Sequence, residues 1–117
     1  MTGVQTCALP ISVAFSQSAV PSDTAAQSVL QAFHILNNFD IPVGSVRETH
    51  DGQLHTDYTI WTSASDLKNL RWYFKTYNDQ SIRSVDLVKT LAAAQGKIRF
   101  IKMDSQQPTD DVSANFK

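Results

Sequence analysis

The chain has 117 residues, a formal net charge of −1, and 42% hydrophobic against 18% charged residues. This composition is typical of one globular domain, or part of one, and argues against a disordered chain. A net charge this small provides no field that would attract nucleic acid. No apolar run reaches the roughly 18 residues that span a bilayer. We therefore expect neither nucleic acid nor membrane as a partner.

The first eleven residues, MTGVQTCALPI, read as a translated sequencing adapter. Back-translated with a GTG start, they resemble the reverse-complemented end of a widely used short-read library adapter. Such segments are set aside before fold reasoning. We expect residues 1–11 to be an artefact without structural role, the biological sequence to begin near Ser12, and the chain to be a fragment. The alternative interpretation is a short N-terminal tail or a truncated signal peptide.

The remaining sequence divides into two parts. We expect residues 12–103 to belong to a single domain and residues 104–117 to form a polar tail that runs over the surface. Cys7 is the only cysteine and lies within the adapter-like segment. Residues 12–117 therefore contain no disulfide, no thiolate metal site and no cysteine nucleophile.

One amphipathic helix is predicted from about residue 22 to residue 38. Thr24 and Gln27 have the spacing of a capping box, and Pro42 forbids continuation of the helix. The apolar residues recur at helical spacing and form one stripe. They are Ala26, Val29, Leu30, Phe33 and Leu36.

After Pro42 the apolar pattern changes to the alternation of strands. Asp51-Gly52 marks a hairpin turn, residues 64–69 and 78–80 mark two more turns, and Gly96 suits the end of a short helix. The predicted strands are 43–48, 57–62, 70–77, 81–87 and 97–103, with the short helix at 88–95.

These elements predict an α+β fold with one main helix and an antiparallel meander of about five strands. The strand 70–77 carries large side chains on both faces, with Trp72 and Phe74 opposite Tyr73 and Tyr77. A half-solvated sheet would have one consistently polar face. We expect other elements to pack on both faces of the sheet, and one helix can pack on only one of them.

Candidate catalytic residues are few, and each has a simpler interpretation. Cys7 has no nearby base that would activate a thiol. His34 lies in the predicted helix, where we expect a hydrogen-bonded core or boundary imidazole. Asp110 and Asp111 lie in the polar tail, without the burial that raises the pKa of a carboxyl group.

His50 and His55 flank the predicted turn and could face each other across a hairpin together with Asp57. Zinc would need a further ligand at suitable spacing, and none is apparent, so we expect a solvated loop. We assign no catalytic, cofactor-binding or metal-binding residue from the sequence, and no cofactor.

Three linked blocks nevertheless resemble the choloylglycine hydrolase family, which contains conjugated bile acid hydrolases, penicillin V acylases and related linear amide C–N hydrolases. The blocks are QAFHILNNFDIPVGSVRE (31–48), DYTIWTSASDLKNLRWYFKTYNDQSIRSVDL (57–87) and KIRFIKMD (97–104). The last block looks like the Gram-negative-type members. The resemblance covers nearly all of residues 12–117 and corresponds to roughly the last third of a family member.

The resemblance implies an N-terminal nucleophile hydrolase with an αββα sandwich. It also implies a processed N-terminal cysteine as nucleophile, whose own α-amino group accepts the proton. Six residues precede Cys7, so it has no free α-amino group and is not the equivalent. The family's last catalytic arginine would fall where Leu9, Pro10 and Ile11 stand. No catalytic position of the family maps onto this sequence.

Our leading hypothesis is the truncated C-terminal part of a hydrolase acting on N-acyl amides such as conjugated bile acids, penicillin V or acyl-homoserine lactones, inactive by itself. Its partner would be the missing N-terminal part of the same chain. The resemblance implies a tetrameric and periplasmic parent. The alternatives are a stand-alone, non-enzymatic α+β binding module and a metal site at His50, His55 and Asp57.

Overall fold

The computed structural model describes residues 3–115, and the side chains of residues 11–115. Within this range three α-helices and five β-strands follow one another in the order ααβββββα. They are α1 (Gly3–Ser18), α2 (Ala25–Leu36), β1 (Val46–His50), β2 (Gln53–Asp57), β3 (Trp61–Asp66), β4 (Arg71–Thr76), β5 (Asp79–Asp86) and α3 (Leu87–Ala94), with short 3-10 turns at Asn37–Phe39 and Ser113–Asn115.

The five strands form two antiparallel sheets. Strands β1 and β2 are a hairpin, and β3, β4 and β5 are a three-stranded meander with β4 in the centre. The hairpin turns at Asp51 and Gly52, whose φ values of 51° and 77° give the primed turn that Asp-Gly favours. In the meander, Ser63 lies opposite Phe74 and Arg83 lies opposite Phe74 from the other side.

Helix α2 lies within the predicted range 22–38 and begins directly after the predicted capping box, three residues later than expected, and it ends two residues earlier. The Thr24 hydroxyl accepts from the Gln27 amide at 3.2 Å, and the Gln27 side chain accepts from the Thr24 amide at 3.2 Å, which completes the capping box. The helix packs on β3 and buries Phe33. This helix covers one face of the meander.

Several predicted boundaries are wrong, and hydrogen bonding explains two of them. The predicted strand 57–62 is interrupted, because Thr59 exchanges bonds with Ile41 rather than continuing a ladder. The predicted turn at 64–69 starts too early. Strand β3 continues to Asp66, whose carboxylate then accepts from the Asn69 backbone N–H at 2.9 Å.

Two further boundaries differ at the second meander turn and after α3. The second turn consists of Tyr77 and Asn78, and Asp79 already starts β5. Residues 97–103 form no strand, because no strand edge in the described part of the chain pairs with them. Helix α3 does end where expected, with Gly96 at a φ of 73°.

The N-terminal region also differs from expectation. The sequence predicts no element over residues 1–20, whereas α1 runs from Gly3 to Ser18 and crosses the expected boundary at Ser12. Helix α1 contacts α2. Whether residues 1–11 derive from an adapter is a question of DNA sequence, and it stays a prediction.

The core of the described chain is very small. Phe33 and Phe74 are the only buried hydrophobic residues among those described. The accessible surface is 9734 Å², whereas a folded monomer of 13.0 kDa exposes roughly 6,300 Å². The radius of gyration is 18.1 Å, against about 13 Å for a closed domain of this length. Much apolar surface therefore remains uncovered.

Candidate functional site

A buried lysine ties the turn after α2 to the middle of the meander. The Lys75 ammonium donates to Asn37 Oδ1 at 2.7 Å, to Asp40 Oδ2 at 2.6 Å and to Gln80 Oε1 at 2.6 Å. The Lys75 side chain is only 5% exposed, and the Thr62 hydroxyl donates to the other oxygen of Asp40. All three ammonium protons thus have partners, so this lysine stabilises the fold.

The same turn is fixed to the sheet by backbone contacts. The Ile41 amide donates to Thr59 Oγ1 at 2.9 Å, and the Thr59 amide donates to the Ile41 carbonyl at 3.0 Å. The Val43 amide donates to the Tyr77 hydroxyl at 3.2 Å. A cleft of about 290 Å³ lies beside this segment, lined by Asp40, Thr59, Trp61, Thr62, Lys75 and Tyr77 among others.

A second polar cluster fastens residues 104–107, which we call the C-terminal strap, to the β4–β5 hairpin. Asp104 accepts from the Thr76 hydroxyl at 3.2 Å and from the Asn78 amide at 2.9 Å. Ser105 donates to Asp79 and accepts from the Arg83 guanidinium at 2.8 Å. The side chain of Gln107 accepts from the Gln80 backbone amide at 2.6 Å.

These hydrogen bonds lower the pKa of the two carboxyl groups in the cluster, Asp79 and Asp104. The Ser105 hydroxyl, followed by the Ser81 amide, lowers the pKa of Asp79, and the Asn78 amide lowers that of Asp104. A carboxylate with a lowered pKa is a weak base, so the Ser105–Asp79 pair is poorly suited to activate a hydroxyl nucleophile. We interpret this cluster as a structural contact that holds the strap on the hairpin, and not as a catalytic pair.

A row of aromatic rings covers the sheet face opposite α2. The Trp72 ring stacks on Phe74 at 4.8 Å and meets the edge of Trp61 at 6.0 Å. The Arg83 guanidinium lies 4.7 Å from the centre of the Phe74 ring. Trp61 is 53% exposed, so the described residues leave this end of the row open.

The sequence candidates do not assemble into a site. His34 is exposed on α2, so the expectation of a core or boundary imidazole is wrong; the neighbouring Phe33 occupies the buried side. His50 lies opposite Gln53, His55 opposite Glu48 and Asp57 opposite Val46, which puts both histidines and Asp57 on one solvent-exposed hairpin face.

Among the described residues, no three histidine, cysteine, aspartate or glutamate side chains are placed to hold a metal ion. Asp110 and Asp111 are both exposed, and the Ser113 hydrogen bonds lower the pKa of Asp111, which is opposite to the shift a general acid needs. The side chain of Cys7 lies outside the described part. In residues 3–115 no helix is both long and apolar enough to cross a bilayer.

Sequence comparison decides the relationship. The model of the family described as linear amide C–N hydrolases, choloylglycine hydrolase family, matches residues 6–106. The chain belongs to the choloylglycine hydrolase family. The resemblance first seen in the blocks 31–48, 57–87 and 97–104 is thereby confirmed.

Relatives of this chain include viral and bacterial proteins. An uncharacterised protein of Paramecium bursaria Chlorella virus 1 is 40% identical over 73 residues, 61% of this chain and 26% of the relative. A bile salt hydrolase/transferase of Clostridium perfringens is 32% identical over 80 residues, 68% of this chain and 23% of the relative. The chain thus spans about a quarter of the length of these relatives.

The structure agrees with that of a family member. A crystal structure of a mutant conjugated bile acid hydrolase from Clostridium perfringens superposes with a TM-score of 0.58 at 27% identity, covering 72% of this chain and 24% of that one. The chain therefore has an α+β fold that corresponds to part of the N-terminal nucleophile hydrolase sandwich. This confirms the α+β class expected from the sequence, although the five strands form a hairpin and a three-stranded meander instead of one continuous meander.

Proposed function

We propose that this chain is the C-terminal part of a hydrolase that cleaves linear amide C–N bonds in N-acyl amides. The observation that carries the proposal is the open sheet of a family member. Among the residues whose side chains are described, Phe33 and Phe74 alone are buried hydrophobic residues, while Trp61 lies half exposed on the face opposite α2. Additional sequence that packs on this face would turn the single layer into a sandwich.

In this proposal the chain contributes structure rather than chemistry. The described side chains include no nucleophile paired with a basic group in a cleft, and Lys75 has all its donors engaged with neighbours. Cys7 follows six other residues, so it has no free α-amino group to accept a proton. We therefore expect the chain to be inactive by itself.

The proposed substrates of the complete enzyme are amides of an acyl group with a small amine. Two relatives, from Clostridium perfringens and Lactiplantibacillus plantarum, are described as bile salt hydrolase/transferases. Conjugated bile acids are therefore the first class to test, followed by penicillin V and acyl-homoserine lactones. The proposed partners are the N-terminal part of the enzyme and further copies in a homo-oligomer.

A direct assay tests the inactivity of the chain. The purified chain is incubated with glycocholate and with penicillin V, and the released amine is measured beside a Cys7→Ala variant. We expect no release above that of the variant. Turnover that disappears in the Cys7→Ala variant would overturn the proposal, because it would show that this chain contains its own nucleophile.

A folding measurement separates the proposal from a stand-alone binding module. An isolated sheet layer with an exposed apolar face is expected to unfold with weak cooperativity and to associate. Urea titration followed by tryptophan fluorescence and by circular dichroism checks this. Coincident, steep and concentration-independent transitions from a monomer would favour the module instead.

A further inference from the structure

A second cavity lies between the end of the β1–β2 hairpin and the C-terminal strap. It has a volume of about 360 Å³, and Tyr58, Trp61 and Tyr77 line it together with Met103 and Asp104. The rings of Tyr58 and Tyr77 are 5.0 Å apart and inclined by 71° to each other. The cavity thus has three aromatic side chains and one carboxylate in its wall.

The polar side chains beside Asp104 in this cavity are already hydrogen-bonded to it. Thr76 Oγ1 and the Asn78 amide, which also line it, both donate to Asp104. A primary ammonium would need three acceptors when it leaves water, and its desolvation would be costly. A methylated ammonium needs none and is attracted to the faces of aromatic rings.

The negative charge of Asp104 in the cavity wall also favours a cationic ligand. Asp104 carries the only carboxylate among the residues that line the cavity. Hydrogen bonds from Asn78 and Thr76 lower the pKa of Asp104, which keeps it ionised near neutral pH. Lys102 is the cation whose charge acts on this carboxylate within the described chain, and its side chain is exposed.

We propose that the cavity formed by Tyr58, Trp61, Tyr77 and Asp104 binds a small methylated ammonium ion of the choline type from solution. The aromatic side chains provide the attraction to the methylated cation, and Asp104 provides the compensating charge. This proposal does not depend on the proposed hydrolase activity, although the cavity shares Trp61 with the open sheet face described above.

Equilibrium dialysis of labelled choline against the full 117-residue chain tests the proposal, because it measures binding whether or not the chain associates. We expect a Kd of about 1 mM. Ethanolamine and the neutral carbon isostere of choline, in which carbon replaces nitrogen, should bind at least about threefold more weakly. Equal binding of the neutral isostere would overturn the proposal.

Variants assign the binding to this cavity. Tyr58→Leu and Asp104→Asn should each weaken choline binding about threefold, whereas Lys102→Gln should strengthen it by removing a competing charge. Tyr73→Leu and Asp111→Asn are the matched controls, since neither residue lines the cavity. Unchanged binding in both Tyr58→Leu and Asp104→Asn, or binding to phosphatidylcholine vesicles without binding of free choline, would contradict the proposal.

Discussion

Lys75 and Asp40 are 35 positions apart in the chain, yet their side chains form an ion pair of 2.6 Å that joins the centre of the meander to the turn after α2. Asp40 is 32% exposed while Lys75 is almost fully buried. The pair therefore connects a buried strand to a surface segment. Helix α2 owes its fixed position on the sheet partly to this link.

Replacing Lys75 by Met should loosen the segment 39–43. Hydrogen bonds to charged groups contribute about 1.5–3 kcal/mol, and the partial exposure of Asp40 puts this one at the low end. We expect amide exchange at Ile41 and Val43 to accelerate by about tenfold. Hydrogen–deuterium exchange with mass spectrometry measures this.

The control for that experiment is Lys97→Met, which changes an exposed lysine. It should leave exchange at Ile41 and Val43 unchanged. Equal acceleration in both variants would mean that the effect is general and does not pass through the Lys75–Asp40 pair.

The capping box of α2 makes a second prediction. Thr24→Ala removes the acceptor of the Gln27 amide, and loss of such a cap typically costs about 0.5–2 kcal/mol. We expect faster exchange in the first turn of α2 and a loss of helical circular dichroism. Thr49→Ala, on the exposed hairpin, is the matched control. A first turn that exchanges equally slowly in both variants would argue against the cap.

The strap should detach in acid. Because hydrogen bonds lower the pKa values of Asp79 and Asp104 below the usual 3.8 in the folded chain, their contribution is fully present above that value. It is lost as the pH falls through the lowered pKa values. Chemical shifts of Ser105 and Gln107 followed by NMR between pH 6 and pH 2 should show release only below about pH 4.

A serine substitution tests the origin of the shift. Ser105→Ala removes the first cause of the lowered pKa of Asp79, which should rise towards 3.8. Ser113→Ala should instead raise the pKa of Asp111 and leave Asp79 unchanged. If Ser105→Ala leaves the pKa of Asp79 unchanged, the hydrogen bond from Ser105 to Asp79 does not form in solution.

The segment 97–103 should make the isolated chain associate. Ile98 and Phe100 are 84% and 92% exposed and alternate with basic residues in strand fashion, without a partner strand among the described residues. An exposed segment that alternates in this way can form a strand with another molecule. We expect that Ile98→Lys with Phe100→Lys reduces association in analytical ultracentrifugation. Val20→Lys with Val112→Lys, at two exposed valines elsewhere, should reduce it less.

Local signals made much of this fold predictable. Thr24 and Gln27 gave the start of α2, Asp51-Gly52 gave the hairpin turn, and Gly96 gave the end of α3, because each acts within a few residues. The prediction of a strand at 97–103 was wrong, because pairing depends on residues far away in the sequence. Alternation shows that a segment can be a strand, but a ladder also needs a neighbouring strand.

The polar clusters could not be predicted in the same way. Asn37 is the C-cap of α2, and its side chain also accepts from Lys75 across 38 positions. The sequence signal for this cluster was Lys75, a charged residue that follows three aromatic residues in β4. Its partners depend on tertiary packing, as do those of Ser105 in the strap.

The adapter interpretation of residues 1–11 has its own test in DNA. Resequencing the source across codon 12 should replace these codons by an open frame that continues upstream to an arginine-containing stretch and a cysteine exposed by processing. If MTGVQTCALPI proves genomic, the adapter interpretation is wrong, and the helix α1 seen over Gly3–Ser18 belongs to the natural protein.

The most direct test of the central claim is a hybrid enzyme. Residues 12–117 replace the matching segment of the Clostridium perfringens bile salt hydrolase/transferase, and glycocholate hydrolysis is measured. The same replacement with the segment of the Lactiplantibacillus plantarum relative serves as the matched control. We predict that both hybrids fold and release glycine. An active control beside a folded but inactive hybrid carrying this chain would contradict the claim that the chain completes a family hydrolase.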